Sequence, residues 1–245
     1  QMTNREKEDR ENERLKNPTV SHSSEISKLI DKALKEKRPV WCFSDPHFWI
    51  KDKKDKSKTN KRPNFDKIIK EYKDHVKSED LVIFLGDLVD GEFTDKDRIK
   101  DVMLCLPGQK ILVRGNNDLF DDSFYKSCGF DYVVRAFIWN DIIFTHIPVV
   151  NDNYMNIHGH LHFDYKTSKS KATYWVPYTN QVCVFNIDRV PILLHEVIRS
   201  QTEFCKHITV NWDKVNESRK IKNIFEMVMD IDNCDITTIV DPCDD

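Results

Sequence analysis

The sequence predicts an α/β fold in which buried strands alternate with helices that cover the sheet faces. Three observations carry this. Short unbroken apolar runs recur, "PVWCF", "LVIFL" and "KILV", as strands buried on both faces require. Between them lie segments whose apolar residues repeat at helical spacing. Each run also stops on a small polar cluster, and in α/β folds the carboxyl ends of strands are where sites collect.

Taken in order, residues 1–22 carry almost no apolar side chains and read as a charged arm. "SSEISKLIDKALKEK" places Ile26, Leu29, Ile30, Ala33 and Leu34 on one helical stripe behind serine caps. "PVWCFSD" is a buried strand. Residues 51–62, "KDKKDKSKTNKR", hold seven Lys/Arg and two Asp and read as a solvated loop. "NFDKIIKEYKDHV" is a helix with Phe65, Ile68, Ile69, Tyr72 and Val76 on one face. "LVIFLGD" is the second buried strand, and "TDKDRIKDVMLCLPG" a helix capped by Thr94 and stopped by Pro-Gly. "KILVRGNND" is the third strand, and "DDSFYKSCG" a short helix. "YVVRAFIWNDIIFTH" reads as two strands joined at Trp139-Asn140-Asp141, "QVCVFNID" as a half-buried strand, and "PILLHEVI" as a short helix with Pro in its first turn. Beyond residue 200 the pattern weakens, with one more helix around Ile221–Val228 and a final strand at "DITTIV".

The totals exclude several classes. A chain of 245 residues with 39% hydrophobic content can build one large domain. A net charge of -3 gives no global pull toward nucleic acid. The seven cysteines are scattered without a C-x-x-C pair and read as reduced thiols. No apolar run reaches the roughly 18 residues a membrane span needs, and the charged N-terminus lacks an apolar signal core. The expectation is a cytoplasmic protein with no membrane association.

The polar strand ends are the informative feature. Singly, each has a plain reading. Gly115, Asn116, Asn117 and Asp118 all suit a turn with positive φ, a Gly-Asp pair is a common strand exit, and a lone histidine is usually a hydrogen-bonded core residue. Together they bring Asp45, His47, Asp87, Asn116, His146, His160 and His162 to one edge of the sheet. Burying so many polar groups without a partner is costly. Two divalent cations would remove that cost, and a donor set of imidazole, carboxylate and one carboxamide suits Mn, Fe, Zn or Ni.

The ordered motifs D-x-H at Asp45–His47, G-D-x-x-D at Gly86–Asp90, G-N-x-D at Gly115–Asp118, T-H at Thr145–His146 and G-H-x-H at Gly159–His162 resemble those of the calcineurin-like metallophosphoesterase family. The chain is similar to a small bacterial and phage branch, through Ser44–Phe48, Arg62-Pro63, Leu106–Asp118, His158–His162 and "VPILLHEV". The likeness spans roughly residues 38–198. It implies two stacked mixed β-sheets flanked by helices, an αββα sandwich. It also implies a domain over residues 23–198, with the 1–22 arm before it and a 199–245 extension after it. Asp45, His47 and His162 would hold one metal, Asn116, His146 and His160 the other, and Asp87 would bridge them. His158 would lie behind the ligands or at the surface. Such a pair suits metal-dependent hydrolysis of a phosphoester.

The sequence departs from the family where the third motif usually reads G-N-H-D. Here Asn117 replaces a histidine taken to bind phosphate or protonate the leaving group, while Asp118, which would orient that side chain, is kept. Asparagine cannot deliver a proton. The branch also carries a histidine shortly after "HF", where this chain has Trp49 and Ile50. A phosphodiesterase acting on good leaving groups is the expected activity. A metal-binding interaction protein with little turnover is the alternative. A nuclease-like enzyme, binding nucleic acid through the Lys51–Arg62 loop, is the less favoured third reading. The motifs say nothing about the rest of the substrate or about oligomeric state.

Overall fold

The computed structural model describes residues 18–199, apart from 53, 56–57, 92, 150–152, 161–180 and 185–189. The charged arm through residue 17, His162 and everything after Arg199 therefore lie outside the described residues.

Helix α1 (Ser23–Lys35) leads into β1 (Val40–Phe43), then a hairpin of β2 (Trp49–Lys51) and β3 (Thr59–Lys61), and α2 (Phe65–His75). β4 (Leu81–Phe84), α3 (Lys96–Cys105), β5 (Gln109–Val113), α4 (Asp122–Ser127) and β6 (Phe130–Val134) follow. β7 (Ala136–Trp139), β8 (Ile142–Thr145), β9 (Met155–His158), β10 (Gln181–Cys183) and β11 (Ile192–Leu193) come next, with a last helical turn, α5, at 194–199.

One sheet runs β11-β1-β4-β5-β6 and a second β10-β9-β8-β7. Both are mixed: β11 is antiparallel to β1 and β7 to β8, and the other neighbours are parallel. The expected sandwich of two mixed sheets with flanking helices is what forms. Alternation along the strands of the first sheet makes the layers. Cys42, Ile83 and Ile111 point into a cluster with Phe137, Phe144 and Ile157 of the second sheet. Phe43, Phe84 and Leu112 point the other way, onto Ile68 and Tyr72 of α2, Met103 of α3 and Phe124 of α4. Each fully buried large side chain contributes about 1.5–3 kcal/mol, so the parallel strands are held from both faces.

Several local expectations are corrected. The serines before α1 do not cap it. Ser23 Oγ instead accepts from Ile138 N at 2.9 Å and Ser27 Oγ donates to Ile138 O at 3.1 Å, fastening α1 to β7. Asp95, not Thr94, caps α3, its carboxylate accepting from Arg98 N. The stretch expected as two strands is three, because the chain breaks at Arg135 and passes from the first sheet to the second. Pro191 precedes a strand, β11, before the helix begins. The expected solvated loop at 51–62 contains most of the β2–β3 hairpin. Asp52 organises it by accepting from Lys54 N, Asp55 N and Asn60 Nδ2.

Candidate metal centre

The parallel strands β1, β4 and β5 point the same way, so the segments that follow them share one edge of the first sheet. Asp45 and His47 follow β1, Asp87 follows β4, and Asn116 follows β5. His146 and His160 follow the parallel pair β8 and β9 of the second sheet. Backbone hydrogen bonds knit these exits together: Asp45 N to Gly86 O at 3.1 Å, His47 N to Asp87 O at 3.1 Å, and Gly159 N to His146 O at 3.0 Å.

The donor atoms converge in two groups, Asp45–His47–Asp87 and Asp87–His146–His160, each with its ligand atoms within 4.8 Å of one another. Asp87 belongs to both. Its Oδ2 lies 3.6 Å from His47 Nε2 and 3.4 Å from His146 Nε2. Asn116 Oδ1 is 3.0 Å from His146 Nε2, and His160 Nδ1 is 3.3 Å from the same nitrogen. Six of the seven residues singled out from the sequence thus meet, and His162 lies outside the described residues.

The far side of each ring shows what orients it. His47 Nδ1 is 2.9 Å from Asp90 Oδ1, and His146 Nδ1 is 2.6 Å from the Leu85 carbonyl. Carboxylate and carbonyl oxygens only accept, so both Nδ1 atoms carry hydrogens and both Nε2 atoms are turned toward the centre. Asp90, the second aspartate of G-D-x-x-D, was not among the residues singled out from the sequence, yet it holds the His47 ring. Its other oxygen accepts from Lys51 N at 2.8 Å, which ties the hairpin to the ring it supports. His158 is buried, with Nδ1 2.8 Å from Gly159 O, and burial pushes its pKa down to about 4. It is therefore neutral and faces its own loop, as expected of a residue behind the ligands.

Burial alone would raise the Asp87 carboxyl. The His146 charge and hydrogen bond, the Asn117 N–H and the His47 charge outweigh it and hold Asp87 well below the usual carboxylate range. For His146, burial disfavours the charged ring, yet Asp87 pushes its pKa up to about 9. Buried carboxylates at this edge call for positive charge, and cations would supply it in place of that proton. The donors are two carboxylates, three imidazoles and a carboxamide oxygen, with no thiolate. They fit a pair of borderline divalent cations.

Backbone conformation concentrates here as well. Asp45, His47, Asp87 and His160 all have positive φ, at 51, 40, 55 and 69°. Left-handed backbone at non-glycine residues costs roughly 1–3 kcal/mol each and persists where surrounding structure enforces it. In contrast, Asn116, Asn117 and Asp118 are not among the described residues with positive φ, so their side chains are not explained by a left-handed turn.

Asn117 is fixed on both ends of its amide. Nδ2 donates to Asp87 Oδ2 at 2.7 Å, Oδ1 accepts from Gly91 N at 3.1 Å, and its backbone N–H donates to Asp87 Oδ1 at 2.9 Å. Asp118 is buried, and its carboxylate accepts from Asp87 N, Leu88 N and Gly115 N at 2.9, 3.1 and 2.7 Å. It braces the Asp87 turn. Where a role orienting the side chain at 117 was expected, its oxygens are engaged by backbone donors.

The family model for calcineurin-like phosphoesterases matches residues 38–230 of this chain. A crystal structure of a protein of unknown function from Aquifex aeolicus is 22% identical, with 66% of this chain and 98% of that one covered and a TM-score of 0.46. The crystal structure of Pseudomonas putida nuclease MPE is 20% identical, over 34% of this chain and 44% of that one, with a TM-score of 0.28. No curated protein matches the chain.

Proposed function

The chain belongs to the calcineurin-like phosphoesterase family, and from that premise we propose a hydrolase that cleaves phosphodiesters in preference to monoesters at a centre of two divalent cations. A metal-dependent phosphoester hydrolase is the coarser statement, and the observation that carries it is the pair of Asp/His groups sharing Asp87. In this reading Asp45, His47 and His162 would hold one cation and Asn116, His146 and His160 the other, with Asp87 shared. Mn²⁺ is the ion to try first, with Fe, Zn and Ni as the other candidates.

Bound cations of this kind hold phosphoryl oxygens, activate water and stabilise in-line displacement. The residues do the rest. Asp87 is a compact anion between two ring nitrogens, so its two oxygens can face two charges at once. Asp90 and the Leu85 carbonyl hold the His47 and His146 rings with Nε2 turned toward the centre. Asn116 would add a neutral oxygen, which would leave a cation held there more electrophilic than another carboxylate would.

The diester preference rests on Asn117. An alkoxide leaving group needs a proton, and general acid help is worth about 10²–10⁴-fold. A carboxamide tied to Asp87 and Gly91 cannot supply it. The same observation favours the second reading, a metal-binding interaction protein with little turnover. Purified protein assayed with Mn²⁺ on an aryl phosphodiester and on aryl and alkyl phosphomonoesters separates them. Diester turnover well above the alkyl monoester supports the hydrolase, and no metal-dependent turnover on any ester supports the binding protein.

A further inference from the structure

Arg62 stands at the end of the β2–β3 hairpin, fifteen residues after His47, and its backbone N–H donates to the Phe48 carbonyl at 3.0 Å. The hairpin thereby returns the chain to the D-x-H motif it left. The side chain returns with it: Arg62 Nε donates to the His47 carbonyl at 3.0 Å. The guanidinium is half-buried and close enough to Asp90 and Asp45 to feel both charges. It bonds to neither. Asp90 has its oxygens on His47 Nδ1 and Lys51 N, and Asp45 Oδ2 accepts from His160 N at 2.9 Å. Among the described residues, the two terminal nitrogens of Arg62 make no hydrogen bond and no ion pair.

A guanidinium is a rigid planar fork. When Nε is fixed, the plane is fixed with it, and the terminal N–H groups are aimed before any ligand arrives. A half-buried fork with spare donors beside a cluster of cation ligands is suited to one class of partner, a tetrahedral oxyanion that also reaches the cations. We propose that Arg62 is a phosphate-binding residue, donating from its terminal nitrogens to the non-bridging oxygens of the substrate phosphoryl group. This rests on the phosphoester hydrolase reading and deepens it. It also gives the hairpin a purpose: its end sets the Arg62 guanidinium beside the His47 carbonyl.

The test uses the Mn²⁺-loaded full chain and inorganic phosphate, with binding measured by calorimetry and inhibition measured on an aryl phosphodiester. Arg62→Gln should weaken phosphate binding on the order of ten- to a hundredfold, the worth of charge-assisted hydrogen bonds. Arg62→Lys should recover only part of it, since it keeps the charge and loses the fork. Metal content and melting temperature separate this role from a structural one, because a residue that only braced His47 would lower metal content and leave phosphate affinity per loaded site unchanged. Equal phosphate affinity in wild type and Arg62→Gln, at equal metal content, overturns the assignment and leaves the hydrolase reading standing. A loaded wild-type protein that neither binds phosphate nor turns over ester overturns both.

Discussion

In the proposed reading, Asn117 sets which esters this chain cleaves. Its amide joins Asp87 to Gly91 and offers no transferable proton, so rates should depend steeply on leaving-group pKa. Replacing it by histidine should raise rates on alkyl esters by up to about 10²–10⁴-fold and change aryl esters little. A plot of log rate against leaving-group pKa for both proteins checks this, a shallower slope in Asn117→His supporting the role and parallel lines excluding it. At this scale the sequence was legible wherever chemistry dictates residue type. Asp45, His47, Asp87, Asn116, His146 and His160, expected at one edge of the sheet, do lie together there. The contacts of Asp90 and Arg62 were not legible, since the motifs mark both residues but not the His47 ring nitrogen and carbonyl that they reach. The role of Asp118 was likewise hidden, because its partners are backbone N–H groups thirty residues away or across its own turn.

The elements matter through the turns that end them. Gly86 and Gly115 face each other across the β4 and β5 exits. Gly86 has φ of 88°, and a Cβ on it would lie 2.5 Å from Gly115 N. A Cβ on Gly115 would strike the Asp87 carboxylate itself and sit 2.5 Å from Asp87 N. Gly115→Ala should therefore displace Asp87, abolish metal uptake and cost about 1–3 kcal/mol of stability, checked by metal content per chain and by denaturant melts. Retained metal at wild-type stability would show that the turn can relax. Strands β1, β4 and β5 were legible because an unbroken apolar run between helical stripes is long enough for a buried strand and too short for a helix of its own. The hairpin was not, because no apolar alternation marks it; Asp52 side-chain hydrogen bonds and the two strands' backbone pairing hold it. Caps were misread for a similar reason: Ser23 had a better partner in Ile138 than in its own helix.

At the scale of the whole molecule, the centre lies where two sheets present parallel strand ends to each other, so its ligands come from both layers of the sandwich. Cations bound there would cross-link the layers and neutralise buried Asp45 and Asp87. Divalent ion at a hundredfold over its dissociation constant should then stabilise the fold by about 2.7 kcal/mol, and a chelator should reverse the shift in melting temperature. No shift with any of Mn, Fe, Zn or Ni would mean that the ligands do not act together. The two-layer plan itself was legible only through the family resemblance. Strand order and the passage between sheets at Arg135 depend on pairing, which the stretch from Tyr132 to Trp139, apolar but for Arg135, conceals. Among the described residues no helix is long and apolar enough to cross a membrane. The most direct measurement is a calorimetric titration of metal-free protein with Mn²⁺, run beside Asp87→Ala and with diesterase activity followed at each addition. Two equivalents per chain, activity that rises with the second, and loss of both in Asp87→Ala are expected. A single equivalent, or full uptake and a normal rate without Asp87, would contradict a centre built on a shared carboxylate.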